Sequence, residues 1–164
     1  MEKQVRTMTC STRAETLNSL RESLRVQATR TVVLYSAVAA DLGITVADLT
    51  CLNLLWMRGR LTPGRLAELL GIARGGAITA VIDRLERAGY VRRTRDSEDR
   101  RRVWVELVAV RAEVAVAPLF GELAALDETL PQDDETLAAL VDFVRDVNGA
   151  LAQATAQVSG NRAL

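Results

Sequence analysis

The sequence predicts a mainly α-helical fold that carries one small β-hairpin. Three observations predict it. The 164 residues are 49% hydrophobic but only 4% aromatic, and the apolar share falls to Ala, Val and Leu, which fill helical interfaces. Apolar residues recur at spacings of three and four through successive segments that Gly and Pro punctuate. Two β-prone runs, Tyr90 to Arg93 and Val103 to Leu107, flank an Asp-rich charged segment, 94–102, as the arms of a hairpin would. A chain of this length is expected to bury one core. Residues 12–158 are therefore read as one domain, with 1–11 and 159–164 as flexible tails.

The first helix is expected from Thr12 to Asp41, with Leu17, Leu20, Leu24, Leu34 and Val38 on its apolar side and Gly43 after its end. Thr45 and Asp48 have the spacing of a capping box and open a second helix with Leu49, Leu52, Leu55 and Trp56. Arg58-Gly59-Arg60 reads as a turn. Thr62 followed by Pro63 is an N-cap with Pro at the first helical position, opening a third helix that Gly71 closes. Gly75 or Gly76 starts the fourth, with Ile78, Val81, Ile82 and Leu85 on one face, Gly76, Ala80, Asp83, Arg84 and Arg87 on the other, and Gly89 at its end. After the hairpin, Ala112 to Leu126 and Asp134 to Val158 read as two final helices separated by Pro131. Pro118 is expected to kink the first of these or to move its start later.

A formal net charge of zero conceals a segregation along the chain. From Arg58 to Arg102 there are twelve arginines against six acids, whereas from Glu113 to Asp146 there are nine acids and only Arg145. A basic middle and an acidic end can give one molecule a positive face. No stretch reaches the roughly 20 apolar residues of a membrane span, and the start lacks a signal-peptide core, so a cytoplasmic protein without membrane contact is expected. Two cysteines, Cys10 and Cys51, with no histidine argue against a disulfide framework, against structural zinc and against a histidine general base. The glycines match no phosphate-loop or dinucleotide pattern. No enzyme and no cofactor are expected.

Two short helices joined by a tight turn make a helix-turn-helix, and an arginine-bearing hairpin directly after it makes a wing. Residues 45–108 are read as this winged module, flanked by helices at 12–41 and 110–158. A helix entering the major groove needs small side chains where it approaches the bases and an apolar side held on a core. Gly75, Gly76, Ala77 and Ala80 permit the approach, and unpaired backbone amides at that helix start favour a phosphate. Arg95, Arg100, Arg101 and Arg102 sit on a hairpin that can reach a minor groove, whose negative potential attracts arginine. Thr62 and Arg74 are also expected in the DNA-binding set. The flanking helices exceed what the module needs to close its core, so Leu17, Leu20, Leu24, Leu137, Leu140, Val141, Val144 and Leu151 are expected to build a homodimer.

These segments resemble the MarR family (multiple antibiotic resistance regulators), in Leu66 to Gly71, Ile82 to Val91 and Asp96 to Arg101, with matching order and spacing. The resemblance covers essentially the whole chain. It implies a bacterial, sequence-specific regulator that binds a pseudo-palindromic duplex operator as a homodimer and represses until a small molecule relieves it. It implies that Thr79 and Arg84 face DNA, that Asp99 orients a wing arginine, that Arg101 is the wing-tip arginine and that Asp83 enters a salt bridge. It also implies an effector pocket near the dimer helices, where Tyr35 and Trp56 are the aromatic candidates. Ala73 stands where many relatives place Ser or Thr, so a side-chain cap on the recognition helix is not expected, and Gly75 or Arg74 is left to substitute. Ser97 replaces a common Pro.

Two other readings remain open from the residues. Winged helices also serve as protein-interaction modules, and a regulator can sense oxidants through cysteine. Against the second, Cys51 lies beside the apolar stripe of the second helix, where an inert thiol is expected.

Overall fold

The computed structural model describes residues 12–72, 75–99, 101–124 and 129–160. Its helix starts are set locally. Thr12 caps α1 (Arg13–Asp41) in a reciprocal box with Glu15, and Thr45 caps α2 (Val46–Arg58) in the same way with Asp48. Each box satisfies two backbone donors that a helix start leaves open. Thr62 Oγ1 accepts from the Arg65 N–H at 3.3 Å, and Pro63 occupies the first position of α3 (Pro63–Leu70). Gly71 ends α3 in the left-handed region (φ 64°), where a Cβ would be strained.

The helix α4 (Gly76–Arg87) follows Gly75, whose φ of 102° again requires glycine and which makes no side-chain cap. Antiparallel strands β1 (Val91–Arg95) and β2 (Val103–Leu107) form the hairpin in the register Val91 to Leu107 and Arg95 to Val103. Leu61 adds an antiparallel bridge to Val105. This ties the link between α2 and α3 to the hairpin.

Around this hairpin lies the main core. Cys51, Leu52 and Leu55 of α2, Leu66 and Ala67 of α3, Ile78, Val81, Ile82 and Leu85 of α4, and Val91 and Val105 of the strands are all buried together. Ala115 and Val116 of α5 (Ala109–Ala124) close it from outside. Small residues let α5 lie close on α2. A second cluster joins Leu34, Tyr35 and Val38 of α1 to Leu49 and Leu119, so the C-terminal end of α1 docks on the module while the rest extends away.

Pro118 is inside α5 on its exposed side, and the helix starts earlier than expected, not later. The Val108 carbonyl accepts the N–H groups of Arg111 and Ala112, both at 3.2 Å, and so opens the first turn immediately after β2. The last helix, α6 (Asp134–Gly160), is capped by Asp133, which accepts from the Thr136 N–H at 2.8 Å. Ser159 and Gly160, expected in a tail, continue this helix; 1–11 and 161–164 lie outside the described residues. Among the described residues no single helix is long and apolar enough to cross a membrane.

Candidate nucleic-acid interface

The two faces of α4 separate cleanly. Ile78, Val81, Ile82 and Leu85 are at most 4% exposed, while Gly76, Ala77, Thr79 and Ala80 face solvent. A Cβ added at Gly76 would meet nothing within 4 Å, so packing within the chain does not demand glycine there. What it leaves is a bare helix end that another surface can approach closely.

The wing beside it is built on one carboxylate. Asp96 Oδ1 accepts the N–H groups of Glu98 (2.9 Å) and Asp99 (3.1 Å), and Asp96 Oδ2 accepts Trp104 Nε1–H at 2.6 Å. The Trp104 bond, with the two backbone donors and the Arg102 charge, holds this carboxyl at about 2. Asp99 accepts from the Arg101 N–H through Oδ1 (3.0 Å) and from the Arg102 N–H through its carbonyl (2.8 Å). Asp99, expected to orient a wing arginine, holds Arg101 through the backbone of the turn.

Thr62, Asp99, Arg101 and Arg102 come together, lining a cleft of about 470 Å³ with Pro63 and Val103. Arg95 is exposed at the end of β1. Arg74 and Arg100 lie outside the described residues. Arg84, expected to face DNA, instead has its fork on Asp48 of α2: Nε donates to Oδ2 at 3.1 Å and Nη2 to Oδ1 at 2.7 Å. Burial would push the Asp48 carboxyl up, but the Arg84 and Thr45 hydrogen bonds and the Arg84 charge together hold it below its ordinary value. Asp83 and Glu86 of α4 both pair with Arg93 of β1, Asp83 at 2.5 Å. These pairs fix helix to wing.

The comparisons with known proteins agree with this geometry. The MarR family model matches residues 44–103. The chain is 34% identical, over 138 residues, to the uncharacterized HTH-type transcriptional regulator YcgE of Bacillus subtilis (strain 168), an overlap of 83% of this chain and 88% of that protein. The chain belongs to the MarR family. Among solved structures, a MarR family protein from Bacillus stearothermophilus superposes with a TM-score of 0.61 at 22% identity, covering 86% of this chain and 99% of that one. The apo form of wild type MarR from E. coli gives 0.54 at 25% identity, covering 78% and 95%. The architecture is thus the mainly helical winged helix-turn-helix fold of MarR-family DNA-binding transcriptional regulators.

Outside the winged module, the MarR-family helices leave much apolar surface open. Leu17, Leu20, Leu140, Val141, Val144 and Leu151 are 38–61% exposed, while Leu24 and Leu137 are half-buried. From Asp134 to Val158 none of α6 is buried. Tyr35 lines a groove of about 1020 Å³ along α1, with Leu34 and Leu119, and Asn53 Nδ2–H donates to its hydroxyl at 2.6 Å. Burial raises the Tyr35 pKa, against the Asn53 hydrogen bond. Trp56 does not line this groove; it is exposed near the end of α2. The two aromatic candidates are therefore not brought together. Cys51 is fully buried, and burial, followed by the Asp48 charge, pushes its thiol up to about 12. Cys10 lies outside the described residues.

Sequence reasoning missed the second partner of Asp48, the anchoring role of Asp96, and the approach of Arg60 to Trp104 at 4.7 Å. The spacing Asp96-Ser97-Glu98-Asp99 is a signal for an Asx turn. No local signal marks the other two.

Proposed function

We propose that this MarR-family chain is a cytoplasmic homodimer that binds a pseudo-palindromic operator, inserts α4 into the major groove and the wing into the flanking minor groove, and represses until a small molecule releases it. The observation that carries DNA insertion is the two-sidedness of α4, apolar and buried behind, small and open in front. A major groove admits a helix on those terms. Thr79 is assigned to base or phosphate contact, with Gly75, Gly76 and Ala80 allowing the approach. Arg101, Arg102 and Arg95 are assigned to the wing contact, with Arg74 and Arg100 as further candidates from the sequence, and Thr62 to the adjacent backbone. Arg84 is assigned to bracing α4 on α2.

The exposed leucines and valines of α1 and α6 support pairing through a twofold axis, since an isologous contact would cover them on both copies at once. The groove beside Tyr35, between α1 and Leu119, supports effector binding.

Affinity for a random-sequence duplex across a salt series tests the reading. Binding that weakens steeply with salt supports counterion release on a phosphate backbone, whereas salt-independent capture of protein in place of DNA would favour an interaction module. Sedimentation tests the dimer, and Leu140→Asp is expected to yield monomer by placing a charge in an apolar interface.

A further inference from the structure

The indole of Trp104 receives two arginines from different elements. The guanidinium carbon of Arg60, in the link between α2 and α3, lies 4.7 Å from the ring centroid, and that of Arg102, on the wing, lies 5.7 Å from it. The backbone puts Arg60 and Trp104 on one face, as diagonal neighbours within reach of long side chains. Leu61 and Val105 exchange both hydrogen bonds of their antiparallel bridge, at 3.1 and 2.8 Å. Val105 points into the core, so the alternation of a strand turns the residues that precede each of them, Arg60 and Trp104, to the opposite, outer face. The ring is held at its edge by Asp96, which the wing turn itself fixes through two backbone N–H groups.

Stacking leaves both forks free. A guanidinium that lies on a ring uses its face, while its N–H donors point outward in the plane. Among the described residues neither Arg60 nor Arg102 pairs with a carboxylate, whereas Arg65, Arg84, Arg92, Arg93 and Arg145 each do. Arg102 also lines the cleft that holds Thr62 and Arg101. Two cations are thus restrained in advance at the edge of the surface assigned to DNA, neither in a direct ion pair among the described residues, Arg102 within reach of the Asp96 charge.

We propose that Arg60, Trp104 and Arg102 form a clamp for phosphodiester oxygens of duplex DNA, in which Trp104 positions both arginines and Arg60 is a DNA contact outside the recognition helix and the hairpin. The clamp rests on the DNA-binding reading above. Because it grips the backbone, it adds affinity without reading sequence.

The test uses the full-length protein, a labelled duplex that it selects from a random library, and a scrambled duplex, with anisotropy read over a salt series. Arg60→Ala is expected to weaken both duplexes by the same factor, roughly tenfold, as the low end of a charge-assisted hydrogen bond gives. It should also flatten the log-log salt slope by about 0.9. Trp104→Leu, which changes no charge, should lose a comparable factor, and adding Arg60→Ala to it should cost little more, because the fork has already lost its platform. Trp104→Phe keeps a ring face and should retain most of the affinity. If Trp104→Leu disturbs the wing by circular dichroism, Arg60→Lys decides instead. It keeps the charge but lacks the planar fork, and a loss approaching that of Arg60→Ala supports the clamp. Unchanged affinity and slope for Arg60→Ala, in a protein that binds duplex, overturn the clamp and leave the DNA-binding reading standing. Additive losses overturn the platform role of Trp104. A wild-type protein that binds neither duplex overturns the DNA-binding reading and the clamp with it.

Discussion

Arg84 and Asp48 stand 36 residues apart in the chain and meet in a two-point ion pair that ties the last turn of α4 to the first turn of α2. The pair is asymmetric: the Asp48 side chain is 1% exposed and that of Arg84 is 40% exposed. Asp48 also closes the Thr45 capping box, accepting the Thr45 N–H at 3.0 Å. One carboxylate therefore sets both the start of α2 and the seat of the recognition helix.

The asymmetry predicts unequal mutants. Arg84→Ala leaves a buried carboxylate without its cation and is expected to destabilise by about 3 kcal/mol. Asp48→Asn leaves Arg84 able to turn to water and is expected to cost about 1–2 kcal/mol. Urea unfolding at one fixed protein concentration measures both, since a dimer's stability depends on concentration. Equal, small losses would show that the pair is no brace. Because the folded Asp48 carboxyl lies below its ordinary value, the brace contributes fully above the ordinary aspartate range and is lost only as pH falls beneath it.

The wing should resist acid. Asp96 is held at about 2, against about 3.9 for a free aspartate. Its contribution is thus complete above the free value and is lost as pH falls through about 2. Trp104 emission, read in a Trp56→Phe background, is expected to hold through the ordinary carboxylate range and to change only near the lower value. Asp96→Asn should abolish that transition. A midpoint near the free value in the folded protein would contradict the anchoring of Trp104 by Asp96.

Recognition helix and wing should separate by mutation. Thr79→Val is expected to change preference between operator and scrambled duplex by roughly 1–3 kcal/mol if the hydroxyl reads a base. Arg101→Ala should weaken every duplex that has a narrow minor groove and flatten the salt slope by about 0.9. An Arg101→Ala protein that stays folded and binds DNA with unchanged affinity and slope would remove the wing tip from the interface.

Oxidation at Cys51 is not expected to control binding. The thiol is fully buried and pushed up to about 12, so almost no thiolate forms near neutrality. Operator affinity should be the same before and after mild peroxide, in wild type and in Cys51→Ser alike. Loss of binding that Cys51→Ser prevents would restore the redox reading.

The local elements could be read from the sequence because their causes are local. Thr45 with Asp48, Thr62 with Pro63, and the glycines at 71 and 75 act within a turn of where they stand. The apolar repeat of α4 declares its buried face by spacing alone. The short charged segment between two β-prone runs could hardly be other than a hairpin, and Asp83 was expected in an ion pair that the structure shows with Arg93.

Only the tertiary structure decided which charges are spent and which are free. The resemblance implies that Arg84 faces DNA, but a buried carboxylate from α2 holds its fork. Arg60 looked like a turn residue until the bridge between Leu61 and Val105 carried it onto Trp104. Tyr35 and Trp56 look alike in sequence, yet one lines the groove along α1 and the other does not. The physical reason is common to all three. Capping and periodicity act over three or four residues and leave a trace in spacing, whereas an ion pair or a ring stack is made across the core by whichever side chains the packing of helices and strands brings within reach.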